Sequence, residues 1–220
     1  MIEFASIDWA DIGQATLDTL AMLSASLVLT VAIGLPLGVV LFLASPGQVW
    51  ANRAAHLGLS LVVNLLRSVP FIILLIVMIP LTVALVGTSL GVVGAIPPLV
   101  VAAAPFFARL VELALREVGR DTIEAVTAMG ATTRDLVMRA LIPEAMPGIL
   151  AGITVTAIAL VSFTAMAGVV GAGGLGDLAI RFGYQRFQTD VMIVTVVLLL
   201  ILVQLLQMAG DRLVRHFSRR

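Results

Sequence analysis

The sequence contains no cysteine and no lysine: all 13 of its basic residues are arginine. Without cysteine there is no disulfide and no thiolate metal site, and the redox compartment leaves no trace. Without lysine there is no G-x-x-x-x-G-K-[ST] loop, whose lysine reaches the β/γ-phosphates of a nucleotide, so any ATP chemistry must sit on a separate subunit. The two histidines, His56 and His216, lack neighbours that would complete a metal site, and no metal is expected. Charge itself is scarce. Only 12% of residues are charged, against about a quarter in soluble domains. No internal repeat, low-complexity tract or second domain is visible.

What fills the chain instead is apolar. Hydrophobic residues make up 60% of it and the mean hydropathy is +1.14. They come in blocks at 17–43, 57–86, 92–115, 147–170 and 191–209. Each is roughly 20 residues or longer, enough to cross a hydrocarbon core as helix. Burying that much apolar helix in a soluble core is beyond a chain of 220 residues. The expected fold is all-α: a polytopic membrane helix bundle of five transmembrane helices forming one domain over residues 13–212. The first 16 residues carry Glu3, Asp8 and Asp11 and no basic stretch, so the first block is expected to stay as a span.

Orientation follows from the arginines, because short basic loops remain cytoplasmic. Arg53 follows the first block. Arg109, Arg116, Arg120, Arg134 and Arg139 cluster around the end of the third. Arg212, Arg215, Arg219 and Arg220 close the chain. Only Arg181 and Arg186 fall on the other side. The expectation is N-terminus outside and C-terminus cytoplasmic, with Trp9 and Trp50 as interfacial aromatics at the two ends of the first span.

The polar segment 120–143 then lies inside the cell. It reads as two short helices. Asp121 is expected to cap the first, with Glu124 as capping-box partner, and Gly130 to stop it in a left-handed conformation. Thr132 or Thr133 caps the second, which should halt before Pro143. Val126 and Met129 form an apolar stripe on the first, and Leu136, Ala140 and Leu141 on the second. Helices this short are marginal alone in water, so they must lean on this protein's own helix ends or on a partner.

Glu124, Ala125, Gly130 and Pro143 also match the cytoplasmic "EAA" signature of ABC-importer permeases. Val126, Ala140 and Ile142 depart from it, each keeping an apolar site. "NLLRSVPFIILLIVMIP", "AAPFFARLVE", "AMGA", "IPEAMPG", "GAGGLG" and "AGDRLVR" follow in order over nearly the whole chain. The sequence resembles the small five-span permeases of methionine ABC importers. That resemblance implies a homodimer with two ABC ATPase subunits, which hold ATP and Mg, and an extracytoplasmic solute-binding protein. It places the chain in the bacterial inner membrane, with no cofactor of its own and no nucleic acid. It makes residues 121–143 coupling helices between spans three and four, on which Glu124, Ala125, Met129, Gly130, Ala131, Thr132, Leu136 and Pro143 would meet the ATPase. The solute would be D- or L-methionine or a related amino acid. An osmoprotectant or phosphonate permease is the alternative within the class, and a self-sufficient secondary transporter or a plain membrane anchor lies outside it. No acidic or histidine relay of the kind proton coupling would need is expected mid-span.

Inside the apolar blocks, Arg67 stands out, since a central arginine costs about 2.5–3.5 kcal/mol on insertion scales. Either it lines a pathway or links helices, or 57–66 is an interfacial helix from whose end it snorkels. Asn64, Ser68 and Pro70 share its neighbourhood. Pro97, Pro98 and Pro105 are expected to break the third span. Ser162 and Met166 on the fourth span are pathway candidates, Met166 as an apolar gate at a dimer axis. Arg109, Glu112 and Arg116 read as a solvated salt-bridge ladder. Gly171, Gly173 and Gly176 satisfy G-x-G-x-x-G but lack a preceding strand, so a tight glycine turn is expected there.

Overall fold

The computed structural model describes residues 8–218; Glu3, Arg219 and Arg220 lie outside that range. The chain order is α1 (Trp9–Ala44), α2 (Arg53–Ser68), α3 (Phe71–Val77), α4 (Ile79–Val86), α5 (Gly91–Arg116), α6 (Arg120–Ala128), α7 (Thr133–Asp135), α8 (Ile142–Ala167), α9 (Gly174–Leu178) and α10 (Thr189–Phe217). No strand occurs among the described residues. A π turn, Leu136–Leu141, joins α7 to α8, and a second, Ala179–Tyr184, follows α9.

Among the described residues, four helices are long and apolar enough to cross a membrane: α1, α5, the continuous helix Thr133–Val170, and α10. The block 57–86 does not make a single straight span. It bends by 101° between α2 and α3. The cause is local: Pro70 disfavours helical geometry at the residue before it, and Val69 is extended at φ −79°, ψ 125°. Only by counting the bent pair does the total reach five. Pro80 starts α4 near its first turn rather than interrupting it, a position where its missing N–H costs nothing.

The prolines of α5 behave differently from expectation. Pro97, Pro98 and Pro105 all lie within one continuous helix. Their missing donors leave carbonyls without helical partners, but Pro98 and Pro105 are buried in the bundle, where neighbouring segments hold the helix together.

Helices α1 and α5 run parallel and pack along much of their length. Gly34 and Gly38 form a small-xxx-small step that lets the backbones approach. A Cβ at Gly34 would stand 2.9 Å from the Ala104 carbonyl oxygen, and one at Gly38 2.5 Å from that of Ala108. Phe42, Leu43, Phe107, Leu115, Leu136, Leu141 and Ile149 build a core at the arginine-rich end. A middle core holds Met22, Phe71, Leu99 and Leu160. A third, at the opposite end, joins Ile12 and Ala15 to Leu175, Leu178 and Val191.

The segment after α5 corrects two expectations. Helix α6 starts two residues earlier than an Asp121 cap allows: its N-cap is Gly119, with no side-chain capping bond. Asp121 sits in the first turn, where its charge favours the helix N-terminus, and no Asp121–Glu124 capping box forms. Nor does the second helix halt at Pro143. It passes through the π turn into α8, with Pro143 near the first residue. The wider π turn relieves the clash between the proline ring and the carbonyl four residues back.

At the opposite end, "GAGGLG" is a glycine turn. Gly171 and Gly173 take φ values of +84° and +79°. Gly176 instead lies against α8: a Cβ there would stand 2.4 Å from the Ala165 backbone. The turn is tied to α1 by Leu175 N–H, which donates to Thr19 Oγ1 at 2.9 Å.

Candidate functional site

Residues 119–143 have two faces. Ile123 and Val126 of α6 lean on the core at the arginine-rich end, and Leu136, Val137 and Leu141 of the π turn lie within it. Leu136, expected at the partner surface, is buried under the segment instead. Glu124, Ala125, Ala128 and Gly130 face outward, and so does Met129, at 77% exposure. Met129 leaves the stripe it was expected to share with Val126 because the helix ends there. Ala131 N–H donates to the Val126 carbonyl and Gly130 N–H to that of Thr127, a Schellman stop with Gly130 at φ +79°.

The next turn is capped by Thr132, whose Oγ1 accepts from Asp135 N–H at 3.2 Å and donates to Asp135 Oδ2 at 2.6 Å. The helix from Thr133 has 38 residues, about 57 Å long, far more than the hydrocarbon core needs; Asp135 therefore stands in water ahead of the span. The Thr132 hydroxyl, with Arg139 and Arg134 nearby, holds the Asp135 carboxyl below the usual range. Ala131 is half-buried and Pro143 exposed. A notch of about 420 Å3 separates α6 from the α1–α2 turn, walled by Gly47, Gln48, Val49, Ile123, Glu124 and Thr127.

The pathway candidates fall into two groups. Asn64, Arg67, Ser68 and Pro70 lie together at the α2–α3 bend, all exposed. Ser68 Oγ donates to the Asn64 carbonyl at 2.8 Å, and the Arg67 guanidinium lies 5.5 Å from the Phe106 ring centroid. The bend puts Arg67 in the last turn of its own helix, not in the middle of a straight span. Ser162 and Met166 open elsewhere, onto an apolar groove of about 460 Å3 between α8 and α10, walled also by Val196, Leu199, Leu200 and Val203. The intervening Phe163 turns the other way and stacks on Phe71 at 4.7 Å.

The carboxylate at the centre of the ladder on α5 is not solvated. Glu112 is 1% exposed. It accepts from Arg109 Nη1 and from Arg116 Nη2 and Nε at 2.7 and 3.2 Å. Arg109 Nη2 reaches on to Asn64 Oδ1 at 3.2 Å. Its i, i+3, i+7 spacing is visible in the sequence; the burial of Glu112 and the tie to Asn64 on α2 are not.

A family model described as the binding-protein-dependent transport system inner membrane component matches residues 34–220. The chain belongs to this family. It is a multi-pass inner-membrane subunit of such a system. This permease is 47% identical over 217 residues to the Bacillus subtilis methionine import system permease protein MetP, covering 99% of this chain and 98% of that protein. It is 50% identical over 203 residues to the Escherichia coli D-methionine transport system permease protein MetI, covering 92% and 94%. A solved structure of inward-facing conformations of the MetNI methionine ABC transporter superposes with a TM-score of 0.94 at 48% identity, over 96% of this chain and 98% of that one.

Proposed function

We propose that this permease imports methionine or a closely related amino acid, powered by ATP hydrolysis on a separate subunit that docks on α6. One observation carries the reading: α6 rests on its own protein through Ile123 and Val126 while Ala125, Ala128 and Met129 stay exposed. An exposed apolar face on so short a helix suits a partner's groove. The names of the relatives support methionine as cargo and an ATPase as partner.

On this reading residues 13–212 are one transport domain, with the arginine-rich end cytoplasmic and the N-terminus outside. Two copies face each other, the groove beside Ser162 and Met166 lies toward the path, and two ATPases bind inside. Glu124, Ala125, Met129, Gly130, Ala131, Thr132 and Pro143 form the contact, with Leu136 supporting it from beneath. Asn64, Arg67, Ser68 and Pro70 border the path where α2 turns. A solute-binding protein meets the far end, where Tyr184 and Phe187 stand out into solvent; Phe187 is 86% exposed and held at φ +57°.

Co-purification of the permease with its ATPase tests the reading. Gly130→Val forces a β-branched residue into the left-handed region, where even an ordinary side chain costs about 1–2 kcal/mol, and should reduce the recovered ATPase several-fold. Gly13→Ala, where a Cβ meets nothing within 4 Å, should not. Solute accumulation by the permease alone in vesicles would overturn the reading.

A further inference from the structure

Among the described residues, four buried side-chain hydroxyls have no protein partner: those of Ser26, Thr30, Ser60 and Thr82. Of these, only Thr82 lines the small cavity between α4, the start of α5 and the turn after α8. The cavity is about 10 Å3, and its wall includes Ser89, Gly94, Pro98, Val170 and Ala172. That volume is close to the room one water molecule needs, given two to four polar partners.

The polar partners are built in. Thr82 is 2% exposed. Threonines 16, 19, 127, 154, 156 and 195 return their hydroxyls to the carbonyl one turn back, but Thr82 does not. Across the cavity, the Gly94 carbonyl is followed at i+3 and i+4 by Pro97 and Pro98. Neither has an N–H, so this carbonyl has no partner for either a 3-10 or an α-helical bond. Gly94 and Pro98 both border the cavity. Ser89 also lines the wall.

We propose that this cavity is a binding site for a single structural water, which accepts from Thr82 Oγ1 and donates to the Gly94 carbonyl and to Ser89 Oγ. The water carries the bond that the double proline removes from α5 and ties α5 to α4. A direct bond from Gly91 N–H to the Gly171 carbonyl at 2.9 Å ties the same helix start to the glycine turn. The water therefore completes a three-way junction at this end of the bundle.

The test uses the full-length permease in its ATPase complex. A density map fine enough to show ordered water should place a peak within hydrogen-bond distance of Thr82 Oγ1 and the Gly94 oxygen. Thr82→Val keeps the shape and removes the hydroxyl; amide hydrogen exchange across residues 89–99 should then rise about tenfold. Thr82→Ser keeps the hydroxyl and should exchange within about twofold of the parent. Three outcomes would each overturn the site: an empty cavity in the map, unchanged exchange in Thr82→Val, or equal acceleration in both variants. The last would show that the effect does not follow the hydroxyl, which Ser keeps and Val lacks.

Discussion

Removing the Glu112 carboxylate should destabilise this protein more than any other loss of a single charge among the described residues. Glu112 is buried and holds two guanidiniums, one of which continues to Asn64 on α2. Breaking a fully buried ion pair by deleting one partner costs about 3–5 kcal/mol, because the other charge is stranded. Here the stranded charges are partly wetted, with Arg109 and Arg116 side chains 24% and 44% exposed. Part of that penalty is therefore returned as hydration, and Glu112→Ala should cost about 2–3 kcal/mol. Glu112→Gln keeps one acceptor oxygen but loses the charge, and about 1–2 kcal/mol is expected. Arg109→Gln should cost about 1 kcal/mol, the guanidinium being the wetter partner.

The assay is unfolding by increasing SDS fraction in mixed micelles, followed by fluorescence of Trp50 in a Trp9→Phe background. The Trp50 backbone N–H donates to the Leu43 carbonyl, and Leu43 belongs to the core at the same end, so Trp50 reports on that end of the bundle. A double-mutant cycle between positions 109 and 112 should return a coupling of about 1–2 kcal/mol. A Glu112→Ala variant within about 0.5 kcal/mol of the parent, the range of ordinary surface changes, would refute the reasoning. The three residues would then be a solvated ladder after all.

Two further outcomes follow from packing. Gly38→Ala puts a methyl 2.5 Å from the Ala108 oxygen and 2.6 Å from Val111 Cβ, so α1 must move off α5; thermal unfolding in detergent should show a loss of about 1–3 kcal/mol, with Gly58→Ala, which meets nothing within 4 Å, near neutral. Met166→Ala should raise basal ATPase activity or lower transport in the reconstituted complex if Met166 gates the path; if both stay unchanged, the gate is elsewhere.

Helix identity was legible wherever one local cause decided it. Runs of apolar residues predict α1, α5, α8 and α10, and Gly130 and Thr132 predict a stop and a start through their own backbone preferences. What could not be read depended on a second segment. Pro70 and Pro105 look alike in sequence; one bends the chain by 101° and the other stays in a continuous helix. The difference is that Pro105 is buried against neighbours while Pro70 is exposed. Glu112 likewise sits in a spacing typical of surface ladders, and its burial in the folded bundle leaves no local mark in the sequence. Leu136 was misplaced for the same reason: a helix stripe does not say which partner covers it.

The cores suggest how a push on α6 would spread. The cluster beneath α6 draws on α1, α5, the π turn and α8, with no residue from α3, α4 or α10. Close-packed side chains transmit displacement with little compression, so these segments should move as one body. Helix α10 joins only the middle and opposite-end clusters, and α2 is held to α5 by Val63, packed with Leu41 and Ala108, and by the Asn64–Arg109 bond. The borders of the moving body are therefore the α8–α10 groove and the α2–α3 bend. Both sets of pathway candidates lie on those borders: Ser162 and Met166 on the first, Asn64 to Pro70 on the second. A rigid unit changes shape at its edges, and the exposed, weakly packed residues of this bundle sit where such a change would open or close a passage.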